Sequence, residues 1–177
     1  MGKTNYIALK LDDDFVDTIY DICRMIRDKL NNEHIGDFVP MDLENIHMTL
    51  CFFGHILSED RKNKMTFVNK KITEFKTMFS GNVLSFDNYV VFGRHKNLLV
   101  ATFKCINNPK FTDKMIEFKK MFCEIGAIEE NYFTAHITLG KINNFNATEQ
   151  NLTKINQLMS EIDRITTNIN VKECFLI

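Results

Sequence analysis

A chain of 177 residues with 45% hydrophobic and 25% charged side chains has the size and composition of one globular domain. Its formal net charge of −1 argues against a protein that holds long nucleic acid, because such proteins usually carry a basic surface. No apolar stretch is long enough to span a bilayer, no signal peptide is evident, and the five cysteines are dispersed, so we expect a cytoplasmic protein with reduced thiols and no membrane partner.

Hydrophobic periodicity divides the first half of the chain into strands and helices. Apolar side chains alternate along a half-buried strand, whereas they recur every three or four residues along an amphipathic helix. These patterns predict a strand at 6–11, a helix at 14–31, a loop at 31–45, a strand at 46–53, a helix at about 58–79 and a strand at 83–92.

The same order of elements returns in the second half. The patterns predict a strand at 98–105, a helix at about 110–124, a strand at 135–142, a helix with apolar positions from 152 to 165 and a closing strand at 168–177. Each half therefore follows the order β-α-β-α-β, which indicates an internal duplication and an α+β fold. We expect 1–177 to form a single two-lobed domain, with lobe 1 at about 1–95, lobe 2 at about 96–177, and exchange of strands between them left open.

The central strand of each half carries a His-x-Thr-Leu motif. The first is His47-Met48-Thr49-Leu50 and the second is His136-Ile137-Thr138-Leu139. Residues i and i+2 of a strand point to the same face, so each motif presents an imidazole beside a hydroxyl. Histidine exchanges a proton near neutral pH, and a hydroxyl can donate to a phosphate oxygen on which charge develops. Two such pairs could cleave a phosphodiester without a metal where a vicinal ribose hydroxyl is the tethered nucleophile.

Two other interpretations compete for these histidines. A single histidine in an apolar strand is most often a hydrogen-bonded core residue, but a core role does not explain a matched pair in both halves. A zinc site would need a third ligand, and neither motif contains a carboxylate, while Cys51 lies on the motif face but near the end of its strand. We therefore expect neither a metal nor a cofactor.

The paired motifs resemble those of the 2H phosphoesterase superfamily, also called LigT-like, over nearly the whole chain. The stretch Asn45–Gly54 resembles the family segment NLHLTLxFLG, and Ala135–Lys141 resembles its segment PHxTLxR. The segments 6–11 and 90–99 resemble its first strand and a strand hairpin. The resemblance implies two pseudo-symmetric lobes with antiparallel sheets around a central cleft.

The resemblance also implies the roles of four residues. The acid and the base are placed on His47 and His136, and phosphate binding is placed on Thr49 and Thr138. Two departures from the family pattern occur next to the second motif. Lys141 stands where bacterial RNA 2′,3′-cyclic phosphodiesterases commonly have arginine, which removes a bidentate phosphate contact, and Ala135 replaces a frequent proline.

Three further residues are candidates for contacts with the substrate. Tyr132 lies four residues before the second motif histidine and could stack on a base. Lys141 and Arg94 are cations that could reach the cleft.

Together these features predict a metal-independent phosphodiesterase that cleaves a small nucleotide at a ribose 2′-oxygen. The low net charge and the missing arginine favour 2′–5′-linked second messengers, 2′,3′-cGAMP or 2′–5′ oligoadenylate, whose removal would antagonise innate immune signalling. The alternatives left open are an RNA 2′,3′-cyclic phosphodiesterase, a catalytically silent nucleotide-binding module, and an RNA-processing exonuclease with a basic channel. We expect the protein to be a monomer.

Overall fold

The computed structural model describes residues 5–10, 13–54, 61–79, 81–93, 95–125, 132–162, 169–170 and 173–176. Among them, eight strands form one sheet in which every pairing is antiparallel. The strands are β1 Asn5–Lys10, β2 Asp37–Pro40, β3 Met48–Gly54, β4 Val83–Phe92, β5 Leu98–Cys105, β6 Ala135–Asn143, β7 Ile169–Asn170 and β8 Glu173–Leu176. The helices are α1 Asp13–Asn32, α2 Arg61–Phe79, α3 Phe111–Lys120 and α4 Glu149–Ser160, with short 3-10 turns at Leu43–Asn45 and Cys123–Ile125. The predicted α+β fold is confirmed.

Two predicted elements were wrong. The segment 31–45, predicted as a loop, contains β2, which pairs with the end of β6. Phe38 of β2 is buried and lies over Gly140, whose missing side chain leaves room for it. The closing strand predicted at 168–177 is divided into β7, which pairs with β4, and β8, which pairs with β1.

Smaller differences concern the ends of the helices. The third helix was predicted to reach residue 124, but α3 ends at Lys120 and a 3-10 turn follows it. The fourth was predicted to carry apolar positions as far as 165; α4 ends at Ser160, and residues 163–165 lie outside the described residues. The start predicted for the second helix, residues 58–60, lies outside the described residues.

The sheet is strongly curled. Its strand order is β7-β4-β5-β6-β3-β1-β8, so β7 and β8 occupy opposite edges. Residues 170 and 173 belong to these two edges and are three peptide links apart, a distance of at most about 11 Å. Seven flat strands would put their edges roughly 29 Å apart, since neighbouring strands lie about 4.8 Å from each other. Residues 170 and 173 of the two edges therefore lie close together.

Strand pairing crosses the middle of the chain. β4, from the first half, pairs with β5 and β7, and β8, from the end of the chain, pairs with β1. The division into lobes at about residue 95 stays a prediction.

The main hydrophobic core lies on one face of the sheet. Helix α1 buries an apolar stripe that includes Ile19, Ile26 and Leu30, as its helical spacing requires. The thiol of Cys23 on α1 donates a hydrogen bond of 3.4 Å to the carbonyl of Leu139 on β6, and burial raises the pKa of this thiol to about 12. No described helix is both long and apolar enough to cross a membrane.

Candidate active site

The two motif strands meet at a single pair of residues. Met48 of β3 lies opposite Ile137 of β6 in an antiparallel register, and both side chains are fully buried. Continuing this register by one residue in each direction places His47 opposite Thr138 and Thr49 opposite His136. These neighbours point to the other face, since strand residues alternate. The fold therefore brings the four predicted residues together on the face away from Met48 and Ile137.

The expected spacing of these four residues suits a single phosphate group. Side chains directly opposite each other have Cβ atoms about 4.5–5.5 Å apart, and diagonal neighbours lie about 7–8 Å apart. The two histidines are diagonal neighbours, so their rings can approach one tetrahedral group from different sides. The charge of His136 also acts on His47, where it lowers the pKa.

His47 is held on three sides. Its Nδ1 lies 2.6 Å from the carbonyl oxygen of Asn45, which fixes the proton of the neutral ring on Nδ1, and its Nε2 lies 3.1 Å from Oγ1 of Thr49. The ring of Tyr6 stacks on it, with ring centroids 4.6 Å apart and an interplanar angle of 21°. Burial lowers the pKa of His47, and the charge of His136 lowers it further, whereas the hydrogen bond to Asn45 acts in the opposite direction.

His136 has a corresponding backbone contact but different surroundings. Its Nδ1 lies 2.8 Å from the carbonyl oxygen of Thr134, two residues earlier, as Asn45 is two residues before His47. The neutral ring therefore also carries its proton on Nδ1 and turns Nε2 toward the cleft. Its aromatic neighbour is Phe92 of β4, at 5.5 Å and tilted by 38°.

A β-bulge follows the threonine in each motif. In β3, Ala8 pairs with Thr49 and Ile7 pairs with Cys51, which leaves Leu50 as an extra residue. In β6, Val100 pairs with Thr138 and Leu99 pairs with Gly140, which leaves Leu139 as the extra residue. An extra residue reverses the alternation of side chains beyond it. The two halves thus share a bulge at the leucine of the motif.

The bulges decide which residues join the site. Without them, Cys51 and Gly140 would lie on the cleft face. Instead both are buried, and the exposed residues are Phe52 and Lys141. Cys51, expected on the motif face, is buried, and it lines the cavity described below together with Thr49 and His136. Lys141 lies on the same face as His136, which fits its candidacy for a substrate contact, and its counterpart in the first motif is the aromatic Phe52.

A largely apolar cavity of about 280 Å³ opens beside the second motif. His136 and Thr49 contribute to its wall, whereas His47 and Thr138 do not. Aromatic rings from three parts of the chain form much of its wall. They belong to Phe52, Phe92 and Tyr132, which are 41, 48 and 61% exposed. The cavity is near the lower end of ligand pockets, which span about 300–1,000 Å³. Its size and flat apolar rings fit one nucleobase.

Lys119 of α3 supplies a cation to this cavity. Its side chain is buried, with the residue only 5% exposed, and its Nζ donates a hydrogen bond of 3.3 Å to the carbonyl of Tyr132. The same Nζ lies 5.7 Å from the centre of the Tyr132 ring, within the range of a cation–π contact. Lys119 therefore fastens the segment that leads into the second motif.

The predicted secondary candidates have different outcomes in the structure. Tyr132 lines the cavity, but it precedes β6 instead of lying within it. Arg94 lies outside the described residues. The sequence analysis missed Tyr6, Phe92 and Lys119 as parts of the site. An exposed aromatic residue at the end of a strand was the available signal for Phe92, and no local signal marked the other two.

The donor set for a metal is sparse. No group of three or more histidine, cysteine, aspartate or glutamate side chains in the described part of the chain is arranged to hold an ion. The site brings together two imidazoles, two hydroxyls and neighbouring aromatic and cationic side chains.

Comparison with known proteins identifies the fold. By sequence, the chain matches no family model and no curated protein. By structure it is similar to Usb1 of Kluyveromyces marxianus, with a TM-score of 0.65 and 14% identity over 98% of this chain and 96% of that one. It is also similar to TT0787 of Thermus thermophilus, with a TM-score of 0.55 and 11% identity over 99% of this chain and 84% of that one. Escherichia coli LigT in complex with phosphate gives a TM-score of 0.51 and 18% identity over 82% of this chain and 75% of that one.

All three are 2H phosphoesterases. The chain has the 2H phosphoesterase fold. The predicted resemblance is thereby confirmed at the level of the fold, with identities too low to carry an activity. Within this 2H fold, the two His-x-Thr motifs occupy the strands that join the halves of the sheet.

Proposed function

We propose that this protein is a metal-independent phosphodiesterase that cleaves a small nucleotide at a ribose 2′-oxygen. The observation that carries the proposal is the register of β3 and β6, which collects His47, Thr49, His136 and Thr138 on one face. Each histidine–threonine pair by itself would be an ordinary feature of a strand. Together they offer two proton-transfer groups and two hydroxyl donors around a space for one phosphate.

The chemistry follows from these groups. One imidazole takes the proton of the attacking hydroxyl, and the other gives a proton to the leaving oxygen, which typically contributes about 10²–10⁴-fold each. The threonine hydroxyls donate to the non-bridging phosphate oxygens, where charge accumulates in the transition state. A vicinal ribose hydroxyl is already positioned for attack, an advantage of roughly 7–11 kcal/mol over an untethered nucleophile. Lys141, turned to this face by the bulge, adds a positive charge near the phosphate.

The preferred substrate class is a 2′–5′-linked messenger, such as 2′–5′ oligoadenylate or 2′,3′-cGAMP. The aromatic cavity beside His136 offers room for a nucleobase next to the phosphate site, which favours a nucleotide substrate. The net charge of −1 favours a short substrate over a long nucleic acid. We expect the protein to act as a monomer in the cytoplasm.

A second candidate is the opening of a terminal 2′,3′-cyclic phosphate by water. The similar LigT has been solved with 3′-AMP, with a TM-score of 0.51, and Usb1 with uridine monophosphate, with a TM-score of 0.60. Single nucleotides thus occur as ligands of proteins with this fold. A cyclic nucleotide would place its base in the same cavity and its phosphate at the same four residues.

The test is a product assay in the presence of EDTA. The purified protein is incubated with 2′–5′ diadenylate, 2′,3′-cGAMP or adenosine 2′,3′-cyclic phosphate, and products are separated by chromatography. A 2′-deoxy 3′–5′ dinucleotide, which lacks a 2′-oxygen, serves as the control substrate and should remain intact. We expect turnover of at least one 2′–5′ substrate, and a loss of about 10²–10⁴-fold in His47→Ala and in His136→Ala.

The matched control variant is His34→Asn. His34 is exposed, lies just after α1 and has a φ of 52°, which asparagine tolerates. Its activity should equal that of the wild type. Turnover of the cyclic nucleotide alone would select the second candidate. Binding of nucleotides without any product would overturn the proposal and identify a nucleotide-binding module.

A further inference from the structure

Lys119 is buried although its side chain carries a charge. The residue is only 5% exposed, it lines the cavity beside His136, and it has no part in the proton transfers proposed above. Lysine is almost never fully buried unless its ammonium group has a partner, because removing a charge from water costs free energy. The contacts of this ammonium group therefore indicate what Lys119 does.

The ammonium group of Lys119 holds the segment that precedes the second motif. Residues 132–134 belong to neither a helix nor a strand. Nζ of Lys119 donates a hydrogen bond of 3.3 Å to the carbonyl of Tyr132 and lies 5.7 Å from the centre of the ring of the same residue. Phe111, at the start of α3, packs edge-on against Phe133, with ring centroids 6.2 Å apart. Side chains of α3 thus position this segment.

The same segment carries the carbonyl group that orients His136. The carbonyl oxygen of Thr134 lies 2.8 Å from Nδ1 of His136, which keeps the proton of the neutral ring on Nδ1 and leaves Nε2 for the cleft. Both roles in proton transfer need this arrangement. A base must offer the lone pair of Nε2, and an acid that has given up its Nε2 proton keeps one proton on Nδ1.

The corresponding carbonyl of the first motif is held in a different way. Asn45, whose carbonyl oxygen contacts Nδ1 of His47, ends the 3-10 turn Leu43–Asn45. Its own N–H donates a hydrogen bond of 2.8 Å to the carbonyl of Asp42. A backbone turn therefore fixes the carbonyl in the first motif, whereas a side chain from α3 holds the segment in the second.

From this difference we infer that Lys119 is a positioning residue for His136. Its ammonium group fixes the carbonyl of Tyr132, the carbonyl of Thr134 two residues later is thereby held at Nδ1 of His136, and the ring keeps one tautomer. His47 does not depend on Lys119. The effect on the tautomer needs no substrate, whereas the effect on turnover rests on the proposed function.

NMR of the histidine ring nitrogens tests this assignment without a substrate. Spectra are recorded about two pH units above the ordinary histidine pKa of about 6.5, where both rings are neutral and the Nδ1 and Nε2 shifts identify the tautomer. In the wild type, His47 and His136 should both carry their proton on Nδ1. Lys119→Met keeps an unbranched side chain and removes the donor. In this variant the Nε2–H form of His136 should appear, while His47 keeps its tautomer.

Two further variants control for position and charge. Lys120→Met makes the same change at the next residue of α3, which is exposed, and it should leave both rings unchanged. Lys119→Arg keeps a cationic donor and should retain the Nδ1 proton of His136. A change of both histidines in Lys119→Met would overturn the inference, because Lys119 would then act on the stability of the whole sheet.

Kinetics on the substrate that the wild type turns over give a second readout. A displaced catalytic group costs about 10²-fold in rate, so Lys119→Met should lower kcat by about that factor and leave KM nearly unchanged. Lys120→Met and Lys119→Arg should stay within about tenfold of the wild-type kcat, which is well short of that loss. A higher KM with an unchanged kcat would overturn the inference and identify Lys119 as a contact of the substrate.

The two readouts separate this inference from the proposed function. An unchanged His136 tautomer in Lys119→Met would overturn the positioning role, whatever the activity of the wild type. A wild type that turns over none of the nucleotides would refute the proposed function, and the NMR comparison would still decide the role of Lys119.

Discussion

Replacing Gly140 by alanine should strain the junction of β2 and β6. A Cβ atom at this position would lie 2.4 Å from the carbonyl oxygen of Val39 and 2.6 and 2.7 Å from two ring carbons of Phe38. Ordinary contacts begin at 3.4 Å, so β2 must retreat by about 1 Å. Overpacking of this kind costs about 1–3 kcal/mol. For a protein of this length that corresponds to a fall in Tm of roughly 2–12 °C.

The same substitution should affect catalysis through Lys141. Gly140 is the second residue of the bulge that turns Lys141 toward the cleft, and displacement of β2 would loosen that turn. Gly140→Ala should therefore lower kcat/KM in the temperature range where the protein is still folded. Combining it with Lys141→Met should add little to the loss of Lys141→Met alone, because both act through the same ammonium group.

The assay is thermal unfolding of a double-mutant cycle with Phe38→Leu. The smaller side chain should relieve part of the strain, giving a favourable coupling of about 0.5–3 kcal/mol with Gly140→Ala. Gly81→Ala is the matched control. It adds the same methyl group at a φ of 77° with no atom within 4 Å, so it should destabilise through backbone strain alone and show no coupling with Phe38→Leu. A Tm of Gly140→Ala equal to that of the wild type would refute the packing described for β2.

Three further predictions concern the charges of the site. Tyr6→Leu uncovers the ring of His47 and should raise the pKa of His47 toward the ordinary histidine value, as measured by NMR titration. An unchanged titration would show that stacking by Tyr6 does not bury the ring. Because the pKa of His47 is lowered on folding, the unfolded chain takes up its proton first as the pH falls below about 6.5, and stability is lost from that pH downward. Urea unfolding at pH 7.5 and 5.5 should therefore show a larger acid loss in the wild type than in His47→Gln, and equal losses would contradict the sign. Lys141→Met should lower kcat/KM by about tenfold or more. Lys141→Arg should preserve kcat/KM because arginine binds phosphate with two hydrogen bonds. Equal kcat/KM in the wild type and Lys141→Met would exclude a contact between Lys141 and the phosphate.

The amino-acid sequence by itself determined the motif strands and their duplication. Alternation along a strand is a local property, so His47 with Thr49, and His136 with Thr138, could be read as pairs from spacing alone. The apolar stripe of α1 was equally local, and its predicted bounds differ from the observed ones by one residue at each end. The equivalent places of the motifs in the two halves then predicted a shared site and the α+β fold.

Only the tertiary structure decided how the two pairs meet and what surrounds them. The register of Met48 with Ile137 joins segments half a chain apart, and no local pattern specifies such a pairing. The bulges at Leu50 and Leu139 arise in the pairing with neighbouring strands, and beyond the first of them Cys51 is buried and Phe52 is exposed. The different surroundings of the two histidines likewise come from Tyr6 and Phe92, which other strands bring to the two copies of the motif. Two copies of one short motif acquire different surroundings here because burial and ring contacts depend on the whole fold.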